Sequence, residues 1–290
     1  MKKSLLLLLS AVLALSSMGF AAAEAAPGRA ILVVSFGTSY NETRSLTIDT
    51  IAADVAAAYP EWSVRQAFTA QTIIDKLATR DGTAIDNVDE AMKRLIADGV
   101  REVVVQPTHV MPGYEYADLV NEVTPFAGQF DALAIGIPLI YAEEDYQTVI
   151  AALASAIPEV GSEDTAVVFM GHGSEHFANA TYSQLEYMMH AEGYENFFVG
   201  TVEGFPRVDN VIAQATAFGA KKVVLYPLMV VAGDHANNDM AGDESDSWKT
   251  LFTEAGFEVE SRLQGLGENA GIRAIYINHL AATMAGAGLK

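Results

Sequence analysis

Three residues could meet to hold a metal ion. His172 follows the run VVFMG, His235 follows VVLYPLMVVAGD and Glu203 follows FFVGTV. Each run reads as a strand, so each polar residue falls just past a strand's carboxyl end. Two imidazoles and one carboxylate on a single sheet rim suit a borderline divalent ion such as Co²⁺, Fe²⁺, Ni²⁺ or Zn²⁺, and leave coordination positions open. Gly171 and Gly173 flank His172 and permit close approach to the backbone. The same positions also serve helix caps and turns, so residue type alone leaves both readings standing. His109, in VVVQPTHVMPGYEY, ends another strand-like run; it either faces the same cleft or is a hydrogen-bonded turn residue. His176, His190 and His279 fall at helix starts or on helices and read as surface or packing residues.

The chain has no cysteine, which excludes disulfides, zinc ribbons, iron–sulfur clusters and thiol nucleophiles and leaves His and carboxylates as metal ligands. There is no G-x-G-x-x-G, P-loop, H-E-x-x-H or G-x-S-x-G. The stretch GDHANNDMAGDESDSW (233–248) gathers Asp234, Asp239, Asp243, Glu244 and Asp246 beside His235. It reads as a funnel for a cation or as a solvated loop capped at Ser245 or Ser247, and its spacing does not fit an EF-hand. Asn237 and Asn238 are placed to orient His235.

The elements that must position these residues alternate. Strand-like runs fall at 29–37, 62–69, 101–110, 130–140, 165–173, 196–204, 221–233 and 257–266. Helical spacing falls at 46–60, 71–82, 88–99, 146–157, 182–193, 209–219, 247–256 and 271–284. Apolar strands alternating with helices predict an α/β protein with parallel sheets covered on both faces. RAILVVSFGTSYNET matches TAVVFMGHGSEHFANA with Gly37 on Gly173, and REVVVQPTHVMPGYEY matches KKVVLYPLMVVAGDHA with Pro107 on Pro227. These likenesses predict a duplication: two doubly wound lobes, 27–160 and 161–290, joined near 158–164, with a cleft between them. Phe36 then stands where His172 stands, and Glu115 where His235 stands. One asymmetric site, carried mainly by the second lobe, is expected.

Lys+Arg 17 against Asp+Glu 37 gives a net charge of −20 over 290 residues, 51% of them hydrophobic. Such a chain has ample core and is not disordered. Its charge argues against nucleic acid and against a basic membrane-surface protein. Residues 1–26 carry Lys2 and Lys3, an apolar stretch from Leu5 to Phe20, and small residues at Ala23 and Ala25. This is the pattern of a cleaved signal peptide, predicting an exported, periplasmic protein with no membrane association after cleavage. Nothing in the sequence fixes a monomer or a homo-oligomer.

VVSFGTSY, VVFMGHGS, the TVEG strand end, PLMVVAGDHANNDMAGDESDSW and QGLGEN together resemble the anaerobic sirohydrochlorin cobaltochelatases. These are class II tetrapyrrole chelatases, and the likeness runs from about Ala30 to Leu289. The resemblance implies a bilobal chelatase needing no catalytic cofactor, with Co²⁺, or Fe²⁺ as in related members, as the metal substrate and sirohydrochlorin as the ring. It maps the family's metal-binding and catalytic positions onto His172, Glu203 and His235. The departure from the family is the signal peptide, since cobalamin-precursor metallation is ordinarily cytoplasmic. Phe36, Met111, Leu228 and Met229 are expected to line the ring pocket, and Arg44 or Arg207 to pair with the ring's carboxylates. A second reading is an exported haem, tetrapyrrole or metal carrier using the same cleft, with His109, or His190 beside Met188 and Met189, as a haem ligand. A third, a periplasmic solute-binding protein, accounts for two lobes and export but not for three converging ligands.

Overall fold

A computed structural model describes residues 28–290; the signal-type segment 1–26 lies outside the described residues. The first half contains β1 (Arg29–Ser35), α1 (Asn41–Leu46), α2 (Ile48–Ala58), β2 (Ser63–Phe68), α3 (Gln71–Asp81), α4 (Val88–Ala97), β3 (Glu102–Pro107), α5 (Tyr114–Val123), β4 (Ala132–Ile135) and α6 (Glu143–Ala156). The second contains β5 (Thr165–Gly171), α7 (Ala180–Ala191), β6 (Phe197–Thr201), α8 (Val208–Phe218), β7 (Lys222–Pro227), α9 (Trp248–Glu254), β8 (Glu258–Ser261) and α10 (Ala270–Gly286).

The strands form two four-stranded sheets ordered β2-β1-β3-β4 and β6-β5-β7-β8, with every pair parallel. Both are covered by helices, which is why Ala30–Val34 in β1 and Ala166–Met170 in β5 are apolar without alternation and fully buried. The chain leaves β1 to one side for β2 and to the other for β3, and β5 repeats this with β6 and β7. Such a reversal opens a crevice at the strands' carboxyl ends.

The duplication is visible beyond the strand order. The His109 and Val110 carbonyls accept the Leu139 and Ile140 N–H groups; the Met229 and Val230 carbonyls accept those of Leu266 and Gly267. The two segments that follow β3 and β7 thus run extended past the sheets into the cleft. The apolar runs predicted as strands over 130–140, 221–233 and 257–266 are shorter as strands for this reason. In the second, Pro227 ends β7 and the remaining apolar residues line the space between the lobes. The helix predicted over 46–60 is α2; the short α1 precedes it, and the two are separated at Thr47 (φ −118°, ψ −84°), whose hydroxyl donates to the Thr43 carbonyl.

The lobes share one core. The largest apolar cluster contains Ile31 and Val104 from the first sheet, Phe169 and Tyr226 from the second, and Tyr276 from α10. Helix α10 belongs to the second half of the chain but packs on α2, α6 and β3. Its Tyr276 hydroxyl donates to the Thr108 carbonyl at 2.7 Å, and Arg273 pairs with Asp54 at 2.6 Å. Burial pushes the Tyr276 phenol far above its usual range, so it stays a donor. Among the described residues no helix is long and apolar enough to cross a membrane.

Candidate metal centre

The sheet ends bring His172, Glu203 and His235 together: one ligand atom from each lies within 4.8 Å of the others. His172 leaves the end of β5. Its carbonyl accepts the Glu203 N–H at 2.8 Å, and the Gly171 carbonyl accepts the Val202 N–H at 3.0 Å, so the loops after β5 and β6 are tied side by side. Gly173 makes that pairing possible. Its φ is +84°, and a Cβ there would sit 2.4 Å from the Gly204 nitrogen. The His172 and His235 rings stand edge to face, centroids 4.7 Å apart and planes at 89°. Each can therefore point a nitrogen at a common centre without stacking.

Which nitrogen is free follows from the partners. His172 Nδ1 lies 2.8 Å from the Gly173 carbonyl and 4.0 Å from a Glu203 oxygen. His235 Nδ1 lies 2.7 Å from Asp239 Oδ2. A carbonyl only accepts, and an ionised carboxylate only accepts, so both Nδ1 atoms are the donors, and in the neutral imidazoles both Nε2 atoms present lone pairs. His235 starts a single wide helical turn, Ala236–Met240, closed by the Ala241 N–H on the Ala236 carbonyl. That turn puts Asp239 on the same face as His235, a carboxylate–imidazole pair of the kind that orients metal ligands. Asn237 and Asn238, expected to do this, do not: Asn237 donates to the Ala232 and Gly233 carbonyls, and Asn238 to Asp234. Of the other acids in that stretch, Asp243 pairs with Lys249, and Ser247, one of the two expected caps, caps α9.

The triad opens onto a cavity of about 610 Å³ between the lobes. Phe36, Met111, Val110, Met229, Val230 and Val231 give it apolar walls. Leu228, expected there, is instead buried in the shared core. Tyr40 of the first lobe donates to Asp234 of the second at 3.2 Å along one side, and the Tyr114 and His176 rings meet at 4.8 Å along another. Phe36, the counterpart of His172, is half exposed at the rim, and Glu115, the counterpart of His235, accepts a hydrogen bond from Thr69 at 2.9 Å. The first lobe thus repeats the frame without the imidazole pair.

The expected cationic partners for substrate carboxylates are not in this cleft. Among the described residues its lining includes Glu115, Glu175, Glu203 and Asp234 but no Lys or Arg. Arg44 lies in a separate pocket with its Nε 3.5 Å from Asp49, and exposed Arg207 precedes α8 with its backbone N–H on Asn210. Neutral hydroxyls, among them those of Thr38, Ser39, Tyr40 and Ser174, also line the cleft.

His109 does line the cleft, from the end of β3. Both its ring nitrogens are buried without a partner, and burial pushes its pKa down to about 4. It is no member of the triad. His176 caps a short turn by accepting the Ala178 N–H, His190 Nε2 contacts the Phe197 carbonyl, and His279 pairs with buried Asp145 at 2.9 Å. Of the methionines beside His190, Met189 is fully buried in the core and Met188 is half-buried.

Two parallel-sheet lobes facing each other across an apolar slot, with imidazole and carboxylate ligands on one lip, describe a chelatase: a protein that brings a metal ion to the face of a flat ring. The description "Cobalt chelatase (CbiK)" matches residues 29–285, and the chain belongs to that family. It is 43% identical over 252 residues to the sirohydrochlorin cobaltochelatase of Salmonella typhimurium, covering 87% of this chain and 95% of that one. It is 32% identical over 258 residues to the sirohydrochlorin cobaltochelatase CbiKC of Nitratidesulfovibrio vulgaris, covering 88% and 90%. Among solved structures, SirB from Bacillus subtilis with Fe³⁺ superposes with a TM-score of 0.60 at 12% identity over 90% of this chain and 97% of that one. CbiX, described as the terminal enzyme of siroheme biosynthesis in denitrifying bacteria, gives 0.51 at 19% identity over 88% and 99%. These last two likenesses are of fold.

Proposed function

We propose that this protein is a sirohydrochlorin cobaltochelatase, inserting Co²⁺ into sirohydrochlorin for cobalamin-type biosynthesis. The observation that carries this reading is the meeting of His172, Glu203 and His235 within 4.8 Å on the lip of an apolar cleft. The family and the two curated relatives support it.

Insertion exchanges one divalent cation for two pyrrole N–H protons. The Nε2 atoms of His172 and His235 and a Glu203 oxygen hold the incoming ion, and three ligands leave it positions for ring nitrogens. His172 and Glu203 side chains are 48% and 58% exposed, so the ion is loaded from solvent and held without a closed cage. Asp239 keeps His235 in the metal-binding tautomer. The Glu203 carboxylate offsets part of the ion's charge while protons leave. The apolar walls receive the ring's faces and exclude water from the exchange. The nitrogen and oxygen donors accept Fe²⁺ as well as Co²⁺, so iron insertion is a second reaction of the same site.

The test is an insertion assay with sirohydrochlorin and each metal, followed by the change in the ring's absorption bands. Turnover with Co²⁺ that disappears in His172→Ala and in His235→Ala supports the reading; full turnover in both variants overturns it.

The segment 1–26 supports export to the periplasm. Fractionation of the native host, with N-terminal sequencing, tests that: a cytoplasmic protein beginning at Met1 removes it. An exported tetrapyrrole carrier using the same cleft is the competing reading. It predicts a bound chromophore in the protein as purified and no metal insertion.

A further inference from the structure

His109 lines the cleft without belonging to the triad. Its backbone is held on both sides: the Thr108 N–H donates to the Val34 carbonyl at 2.8 Å, and its own carbonyl accepts the Leu139 N–H at 2.9 Å. Its side chain is held by no polar contact, since neither Nδ1 nor Nε2 has a hydrogen-bond partner although both are buried. Buried polar nitrogens without partners are destabilising, and native proteins keep few of them. The neighbouring Val110 side chain offers no donor or acceptor, and Met111 only a weak thioether acceptor. A half turn about Cβ–Cγ exchanges each ring nitrogen for a ring carbon of nearly the same size, so the imidazole can offer a nitrogen to a molecule in the cleft with little steric change.

The duplication says which face of that molecule it meets. His109 corresponds to Met229 of the second lobe, as the matching backbone bonds to Leu139 and Leu266 show. The metal ligands come from the second lobe and His109 from the first. A flat ring between the lobes therefore has the metal site on one face and His109 on the other. Burial pushes the pKa of this imidazole down, so near neutral pH it is uncharged and does not repel the incoming cation. A neutral imidazole nitrogen is a hydrogen-bond acceptor, and the metal-free ring presents N–H donors at its centre that the metallated ring lacks.

We infer that His109 accepts a hydrogen bond from a pyrrole N–H of the bound metal-free ring and loses it on metallation, making it a specificity-determining residue that separates substrate from product. The inference rests on the chelatase reading and adds to it a reason for product to leave. One neutral hydrogen bond corresponds to a preference of about three- to tenfold for the metal-free ring.

The test is equilibrium binding, with no turnover required. Metal-free uroporphyrin and its nickel(II) complex, two octacarboxylate rings differing at the centre, the nickel ring being four-coordinate with little affinity for an axial imidazole, are titrated into wild type, His109→Phe and His109→Gln while the change in ring absorbance is followed. Wild type is expected to favour the metal-free ring by about three- to tenfold. His109→Phe is expected to bind both rings equally, and His109→Gln, whose amide oxygen accepts, to keep part of the preference. A merely structural defect weakens both rings alike and leaves their ratio unchanged; an unchanged ratio in His109→Phe overturns the inference. So does equal binding of both rings by wild type. Failure of wild type to bind either ring overturns the inference, and only a failure of Co²⁺ insertion into sirohydrochlorin as well overturns the chelatase reading. If His109→Phe does not fold, His109→Leu supplies the same comparison, read by the same ratio.

Discussion

Truncating Asp239 isolates the part of the metal centre that no ligand list contains. Its carboxylate sits 2.7 Å from His235 Nδ1 and touches no proposed metal position. In Asp239→Ala the imidazole loses the partner that keeps its proton on Nδ1, so a share of molecules present Nε2–H to the ion and the ring is free to turn. Loss of such partners typically costs 10- to 100-fold in metal affinity. Here the two side chains are 32% and 44% exposed, so water replaces part of the lost bond, and the low end applies. The expected loss is about tenfold in Co²⁺ affinity, or about 1.4 kcal/mol. Asp239→Asn, whose amide oxygen still accepts from Nδ1–H, should recover part of it. Isothermal titration with Co²⁺, backed by a melting curve to show an intact fold, reads both variants. Wild-type affinity in Asp239→Ala would refute the claim that this carboxylate fixes the His235 tautomer.

Three further outcomes are expected. Glu203→Gln should slow insertion and weaken Co²⁺ binding while leaving ring binding in place; unchanged rate and affinity would make Glu203 a structural residue. Gly173→Ala should destabilise the protein by about 1–3 kcal/mol in denaturant unfolding, because its φ is +84° and an added Cβ would fall 2.4 Å from the Gly204 nitrogen, and it should lower activity by parting His172 from Glu203. His109 binds its proton far more weakly in the folded chain, at a pKa of about 4, than in the unfolded chain, at about 6.5. The unfolded state therefore gains protons first as pH falls, and stability drops by about 3 kcal/mol between pH 6.5 and 4 from this group alone. In His109→Phe that component should vanish from the difference between unfolding curves at the two pH values; an identical pH dependence in both proteins would contradict it.

Much of this arrangement is legible in the sequence because strand ends are. VVFMG, FFVGTV and VVLYPLMVVAGD are largely apolar runs, so the His or Glu that follows each sits at or beyond the carboxyl end of a strand, on the rim of a parallel sheet. That logic reaches His172, Glu203 and His235 without a structure. It does not reach Asp239. The single wide turn at Ala236–Met240 decides which acid faces His235, and no composition rule distinguishes Asp239 from its Asn neighbours. Nor does it reach the fate of Arg44 and Arg207. A ring with many carboxylates argues for cations in the cleft, but Arg44 turns toward Asp49, and Arg207 lies outside the cleft lining. The overlong strands have another cause. Residues such as Met229, Val230 and Val231 are apolar because they wall a cavity, and hydropathy alone reads that burial as sheet. Helix α10 shows the complementary blind spot: its sequence gives a helix, while its partners, Asp54, Thr108 and Ala152, belong to the other lobe.

The most direct test of the account is a crystal of the protein soaked in Co²⁺ and read by anomalous scattering at the cobalt edge. The ion should lie within about 2.0–2.2 Å of Nε2 of His172, Nε2 of His235 and one Glu203 oxygen, with its remaining positions turned toward the cleft. Cobalt seated elsewhere, or bound through Nδ1 of either imidazole, would contradict it.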